Sequence, residues 1–256
     1  MDVATIVGVV LAFVAIFTSM ILEGGNPMAI FLIPALILVF VGTIGAGLAG
    51  GLLSDAQRAV KALVLAFTAK PPSAAGTVDT VVRLAERARR EGLLALESDI
   101  RAVEDPFLRD GLQSAVDGAD PEELREILYG KIDTKRAADK QSAKFFADMG
   151  GYAPTIGIIG TVLGLIHVLE NLSEPDKLGH LIAGAFVATL WGVLSANVLW
   201  LPIASRLKRL SEVECQQMEV ALEGVLAIQS GTSPRVVAER LTSLLPPGTM
   251  PEQKAA

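Results

Sequence analysis

The chain has few of the residues that carry covalent or metal chemistry. Its 256 residues include one cysteine, Cys215, and two histidines, His167 and His180. A single cysteine excludes an intramolecular disulfide bond, and no Cys/His spacing is typical of a zinc site. The net charge is −6, and no basic stripe alternates with aromatic residues, which argues against nucleic-acid binding. We therefore expect no enzyme, no catalytic residue, no metal, no cofactor and no nucleic-acid partner.

Charge is absent from four long apolar runs, which cover residues 3–22, 29–53, 152–169 and 181–205 and contain no Asp, Glu, Lys or Arg. A helix needs about 20 apolar residues to cross the hydrocarbon of a lipid bilayer, so each run predicts a transmembrane helix. Intramembrane acids are the usual proton relays. The chain is therefore expected either not to conduct ions or to form only one wall of an ion path.

The distribution of Lys and Arg predicts the orientation in the membrane. Of the 22 Lys and Arg residues, 15 lie in residues 54–151 and six follow residue 205, whereas the loop at 170–180 holds one and the loop at 23–28 none. Cytoplasmic loops carry the excess of positive charge, so the central segment and both termini are predicted to be cytoplasmic. No Lys or Arg precedes the first apolar run, which we interpret as a retained span and not a signal peptide.

The predicted fold class is an all-α membrane protein with four transmembrane helices in two hairpins. A large helical cytoplasmic insert separates the hairpins, and helical extensions follow the last span. We divide the chain into a hairpin at 1–53, the insert at 54–151, a second hairpin at 152–205, and C-terminal helices with a disordered tail at 206–256.

Helix signals are clear within the insert. Asp120 and Pro121 provide a cap and a proline at the first helical position, and acids follow in the first turn. They predict a helix that runs toward the third span and enters the membrane without a break. The fourth span is predicted to continue in the same way to residue 228. Other helices are predicted at 55–67, from Thr77 to a break at Gly92, and at 93–103, 106–116 and 236–245, with a further break at 70–73.

Small residues recur at every fourth position in three of the spans. Such stripes let helix backbones approach closely. Packing within the chain explains each stripe alone, but three stripes together favour oligomerisation. The stripes are Gly42, Ala46 and Gly50 in the second span, Gly160 and Gly164 in the third, and Gly184, Ala188, Gly192 and Ala196 in the fourth.

Polar residues and prolines are sparse in the last two spans. A membrane threonine either donates a hydrogen bond to its own helix or lines a wet path and offers an oxygen ligand. Pro154 and Pro202 each remove a backbone donor and are expected to bend or break the helix, either as a tolerated kink or as a hinge. The polar residues are Thr155, Thr161, Thr189, Ser195 and Asn197.

Charged residues surround Gly92 in the insert. Arg89 and Arg90 precede this glycine and Glu97 follows it. Such a cluster is typical of a solvated helix end, and the sharper alternative is an electrostatic docking surface for a soluble partner.

Four segments of the sequence resemble motifs of the MotA/PomA family, the A subunits of flagellar stators. The resemblance covers essentially the whole chain in order, with the same layout of spans. It is carried by YAPTIGIIGTVLGL at 152–165, AFVATLWGV at 185–193 with NVLWLP at 197–202, RREGLLALE at 89–97, and IQSG at 228–231 with PR at 234–235.

The resemblance implies both partners and a location. Family members form a homopentamer around a dimer of a MotB/PomB-like B subunit, which supplies the ion-carrying aspartate and an anchor to peptidoglycan. Ion flow is thought to turn the pentamer, whose cytoplasmic loops push the rotor protein FliG. The chain would then lie in the bacterial inner membrane as a multi-pass protein with both termini in the cytoplasm.

Roles of individual residues are carried over by motif. Sodium-driven members tend to place a second threonine where this chain has Ala188, and one fewer oxygen ligand favours protons over sodium. By the same resemblance, Thr161 and Thr189 would face the partner's aspartate. Pro154 and Pro202 would couple ion binding to movement. Arg89 and Glu97 would engage opposite charges on the rotor, with support from Arg90.

Two other functions compete with the stator. One is the related ExbB/TolQ class of proton-channel subunits, which energise envelope processes but usually show three spans and a different loop order. Four spans and the charged motif argue against it. The other is a self-contained channel or transporter, which would conduct ions without a partner.

Overall fold

The computed structural model describes residues 3–69 and 73–246, and this part of the chain is α-helical without any strand. The predicted all-α fold class is confirmed. The chain divides into two compact units. We call residues 1–70 with 139–209 the membrane unit, and residues 71–138 with 210–256 the charged unit.

Among the described residues, three helices contain segments long and apolar enough to cross a membrane: α1 (Val3–Leu22), α7 (Pro121–Glu170) and α8 (Pro175–Gln229). The second apolar run forms a shorter helix, α2 (Ile33–Ala49), of about 25 Å at 1.5 Å per residue. A four-residue 3-10 turn precedes α2, and Gly50 and Gly51 follow it. Prolines and glycines at its ends therefore make α2 shorter than the predicted run of 29–53.

Helices α7 and α8 extend well beyond their apolar runs, as predicted. The Asp120 carboxylate accepts hydrogen bonds from the backbone N–H groups of Glu122 (3.0 Å) and Glu123 (3.2 Å) and so caps α7. Neither Pro154 nor Pro202 ends its helix, so of the bend or break expected at these prolines, the break does not occur.

Shorter helices complete the fold: α3 (Leu53–Thr68), α4 (Ala74–Glu91), α5 (Glu97–Ile100), α6 (Pro106–Val116) and α9 (Pro234–Ser243). Helix α4 begins before the predicted Thr77 because the Ser73 hydroxyl accepts the N–H of Gly76 (3.2 Å). The predicted helix at 93–103 is instead a 3-10 turn, Leu93–Leu96, followed by the single turn of α5. The predicted break at 70–72 and the tail at 247–256 lie outside the described residues.

The charged unit has a core of aliphatic side chains contributed by all of its helices. Gly224 of α8 allows close packing there, since a Cβ at this position would lie 2.7 Å from a methyl group of Val81. Val78, Val81, Leu84 and Ala85 of α4 are buried in this core. Its largest fully buried members include Val78, Leu96, Ile100, Leu108, Leu112, Leu124, Leu128, Ile132, Leu222 and Leu241.

Candidate functional site

Helices α7 and α8 pack backbone against backbone in the membrane unit. A Cβ at Gly157 would lie 2.9 Å from the carbonyl oxygen of Ala188 and 3.0 Å from Cα of Thr189. A Cβ at Gly192 would lie 2.6 Å from the carbonyl oxygen of Ala153. Both distances are too short for any side chain, so glycine at these two positions sets the separation of the helices.

Two of the predicted small-residue stripes contribute to this same contact. Gly160 faces the Cβ of Ala188, and Gly164 faces the Cβ of Ala185, and a Cβ added to either glycine would lie within 2.6 Å of its neighbour. Gly42 of the third stripe, in α2, packs on Ile156 of α7 in a looser contact. Packing within one chain therefore accounts for these residues, and the oligomerisation that the three stripes together favour stays a prediction.

Close packing brings two predicted threonines together across the helix pair. The Thr189 hydroxyl donates to the carbonyl oxygen of Gly157 at 3.1 Å. The Thr161 hydroxyl lies 3.3 Å from the carbonyl oxygens of Gly157 and Ala185 and also contacts the Thr189 hydroxyl. The two hydroxyl protons are thus shared among the carbonyl oxygens of Gly157 and Ala185 and the hydroxyl oxygens themselves. Each hydroxyl oxygen can still accept a further hydrogen bond.

The remaining polar residues of these spans behave differently. Each donates a hydrogen bond to a carbonyl oxygen of its own helix three or four residues earlier, which is the ordinary way to satisfy a polar side chain in hydrocarbon. The structure therefore separates the alternatives that the sequence left open: only Thr161 and Thr189 link the two helices. The others are Thr155 at 2.8 Å, Ser195 at 3.2 Å and Asn197 at 2.9 Å.

Ala188 lies beside this pair but does not line an open surface. Its side chain is 3% exposed and packs on Gly160. A threonine at this position would need space that the contact between α7 and α8 does not provide.

A π-helical segment, Ala196–Trp200, lies immediately before Pro202. Here the N–H of Leu201 donates to the carbonyl oxygen of Ala196, one residue further back than in an α-helix. The wider turn lets α8 continue into a residue that has no N–H to donate. Such π-bulges are frequent at functional sites. Pro154 lies inside α7 without such a segment, and its Cα is 3.3 Å from a Cβ built on Gly192.

Trp191 fixes α8 to the segment before α2. Its indole N–H donates to the carbonyl oxygen of Ile30 at 2.7 Å, and its ring lies 5.6 Å from Phe31 and 5.9 Å from Phe40, centroid to centroid. The side chain is buried, so Trp191 is part of the packing inside the membrane unit.

The charged motif forms a braced turn in the charged unit. The backbone of Gly92 has φ of +87°, a conformation that residues other than glycine rarely adopt. Across the turn, Nη1 of Arg87 donates to both carboxylate oxygens of Asp99 at 2.6 Å, and its Nε donates to Glu91 at 3.2 Å. The hydrogen bond to Glu91 and then the charge of Asp99 raise the pKa of Arg87 above its ordinary value.

The predicted rotor-contact residues lie on the outside of this turn. Arg89, Arg90 and Glu97 are all exposed. Arg90 donates weakly to the backbone carbonyl of Glu86 at 3.4 Å. Within residues 3–69 and 73–246, neither Arg89 nor Glu97 forms an ion pair, so their charges remain available to a partner.

Sequence reasoning missed two features of these sites. Gly157 and Gly192 decide the helix contact; Gly192 belongs to a predicted stripe of small residues, whereas Gly157 belongs to none. The pair of Arg87 and Asp99 braces the turn but is separated by 12 residues, so no helical spacing indicates it.

Several known proteins are similar to this chain. A model of the MotA/TolQ/ExbB proton channel family matches residues 99–220. Motility protein A of Bacillus subtilis is 37% identical over 250 residues, which cover 96% of this chain and 92% of that protein. Motility protein A of Aquifex aeolicus is 35% identical, with coverage of 96% and 97%.

Solved structures agree with these relatives. The C. jejuni MotAB structure matches with a TM-score of 0.93 at 30% identity, covering 98% of this chain and 100% of that one. The flagellar MotAB stator complex from Bacillus subtilis matches with a TM-score of 0.89 at 36% identity, with coverage of 96% and 97%. The chain therefore belongs to the motility protein A family, the membrane-embedded A subunits of flagellar stators.

Proposed function

We propose that this A subunit works with a MotB-like B subunit to pass protons across the inner membrane and to turn the rotor protein FliG. The observation that carries the proposal is the contact between Thr161 and Thr189 across α7 and α8. This contact offers oxygen atoms in a pair of spans that contain no Asp, Glu, Lys or Arg. An acid supplied by the B subunit would complete the path.

The threonine pair suits a proton path in its chemistry. A hydroxyl can donate to a carboxylate and can accept from a carboxylic acid, so the pair can follow both protonation states of an acid beside it. A metal cation must instead exchange its hydration shell for several oxygen ligands. Because Ala188 is buried against Gly160 and provides no oxygen, the proposed ion is the proton and not sodium.

Exposed apolar surface on α7 supports assembly with further chains. Four aliphatic side chains in the third span are each more than half exposed, and their spacing places them on one broad face of the helix. A face of this width can contact lipid along one edge and a neighbouring subunit or the B subunit helix along the other, which supports the proposed homopentamer. The residues are Ile158, Ile159, Val162 and Leu163.

The coupling of ion flow to rotation is proposed to use α7 and α8. Pro154 and Pro202 each lie within a helix that extends from an apolar span into charged sequence. The π-helical segment before Pro202 is a site where the helix can change its hydrogen-bond register. The distribution of Lys and Arg supports cytoplasmic termini and a cytoplasmic charged motif that pushes FliG.

The test uses Thr189→Val with Thr189→Ser as its matched control, in a strain that lacks its own A subunit. Valine keeps the shape but removes the hydroxyl, so we expect swimming and proton flux to fall at least tenfold while the B subunit still co-purifies. Serine keeps the hydroxyl and should retain most of the activity. Swimming should be independent of sodium concentration. Normal flux in Thr189→Val, or swimming that requires sodium, would contradict the proposed proton path.

A further inference from the structure

One apolar side chain is conspicuous on the charged unit. Leu94 is 75% exposed, more than any other large apolar residue described in that unit; Ile127 follows at 50% and Val236 at 48%. Single exposed leucines are common on protein surfaces. Two further features distinguish Leu94 from an ordinary exposed leucine: the fixed backbone of its turn and the charged residues beside it.

The turn that carries Leu94 is rigidly held. Two residues after it, Leu96 is completely buried, and Ile100 is buried one helical turn further on. The ion pair between Arg87 and Asp99 joins the two sides of the turn, and Gly92 provides its positive φ. A partner that binds Leu94 therefore has little backbone disorder to suppress, which lowers the entropic cost of binding.

Charged side chains border Leu94 on both sides along the chain. Arg90 lies at the end of α4, and Glu97 begins α5 after the short 3-10 turn. Protein interfaces commonly place an apolar anchor at the centre of a polar rim, and complementary charges in the rim fix the orientation of the partner. Leu94 lies between Arg90 and Glu97 along the chain, and Leu94, Arg89, Arg90 and Glu97 are all exposed, which suits this arrangement.

We infer that Leu94 is the apolar anchor of the surface by which this subunit docks on the rotor. The inference rests on the proposed function and names the chemistry of the partner site. That site is an apolar pocket on the rotor protein, bordered by an acidic group that meets Arg89 and a basic group that meets Glu97. The charges select the orientation, and Leu94 supplies most of the contact that excludes water.

The experiment uses the full chain with its B subunit in cells that lack their own A subunit. Leu94→Ser removes the anchor, Leu94→Met keeps an apolar side chain of similar size, and Ile127→Ser removes an exposed aliphatic residue elsewhere on the same unit. Fluorescently tagged complexes are counted at motors, and co-purification with the B subunit and the mass of the complex report assembly. We expect Leu94→Ser to weaken rotor docking about tenfold, which corresponds to about 1.4 kcal/mol, with the two other variants near wild type.

Other outcomes separate the inference from the proposed function. If Arg89→Glu and Glu97→Arg lose motor recruitment but Leu94→Ser keeps it, the anchor is wrong and the charged docking surface stands. If all three variants recruit normally, the proposed rotor contact fails as a whole. If Leu94→Ser lowers the mass of the complex, Leu94 is covered by a second copy of this chain and the inference is overturned.

Discussion

Helices α7 and α8 of the membrane unit approach each other through glycine, whereas the charged unit encloses leucine, isoleucine and valine. The membrane unit links these two helices by a cluster of hydroxyls around the carbonyl oxygen of Gly157. The charged unit instead carries several ion pairs between its elements, which include Arg87–Asp99, Lys131–Asp110, Lys135–Glu214 and Arg136–Glu219.

The difference follows from the two solvents. Hydrocarbon cannot satisfy a polar group, so a polar contact retained between membrane helices is a candidate for function. Water satisfies charges readily, so a paired charge in the charged unit is ordinary. There the informative residues are Arg89 and Glu97, which have no described partner although opposite charges are plentiful nearby.

The largest effect is expected from a methyl group at the glycine contact. Gly192→Ala would place Cβ 2.6 Å from the backbone oxygen of Ala153, and backbone atoms cannot move aside as a side chain can. We expect a loss of about 3 kcal/mol of stability and little protein in the membrane. Gly45→Ala is the matched control, because no atom lies within 4 Å of its Cβ position. Equal thermal stability of the two purified variants would refute the importance of this contact.

A smaller effect is expected from Trp191→Phe. Phenylalanine keeps an aromatic ring between Phe31 and Phe40 but cannot donate to the carbonyl oxygen of Ile30. The loss of one buried hydrogen bond is expected to cost about 1 kcal/mol, seen as a modest fall in melting temperature. Wild-type stability would show that this oxygen finds another donor.

The smallest change in stability is expected at Arg87 and Asp99. Both side chains are about a third exposed, so solvent screens the pair and unfolding should change little. Motor recruitment should fall in Arg87→Gln and in Asp99→Asn, and the double variant should be no worse than either, because both changes remove the same brace. Additive losses would mean that the two residues act separately.

Much of the fold follows from patterns in the sequence. Apolar runs indicated the spans, and Asp120 with Pro121 gave the start of α7 because cap chemistry is local. The length of α2 was harder to predict. Apolar residues flank this helix at both ends, so the apolar run does not show where the helix begins and ends.

The contacts of the site were harder to predict. A stripe of small residues shows that something approaches closely but not which helix does, so the sequence left packing within the chain and oligomerisation both open, and the structure shows that α7 and α8 use several of these residues with each other. Residue chemistry alone did not rank the five polar residues of the spans; the family resemblance pointed to Thr161 and Thr189, and the register between the helices shows why these two and not Thr155 link α7 to α8. The brace between Arg87 and Asp99 depends on the turn at Gly92, which sequence spacing does not describe.

Proton flux in proteoliposomes tests most directly whether this chain forms only one wall of the ion path. The purified A subunit alone is compared with the complex that contains an activated B subunit, under the same pH gradient and membrane potential. We expect no flux above empty vesicles from the A subunit, flux from the complex, and loss of that flux in Thr189→Val. Flux from the A subunit alone would contradict the need for an acid from a second chain.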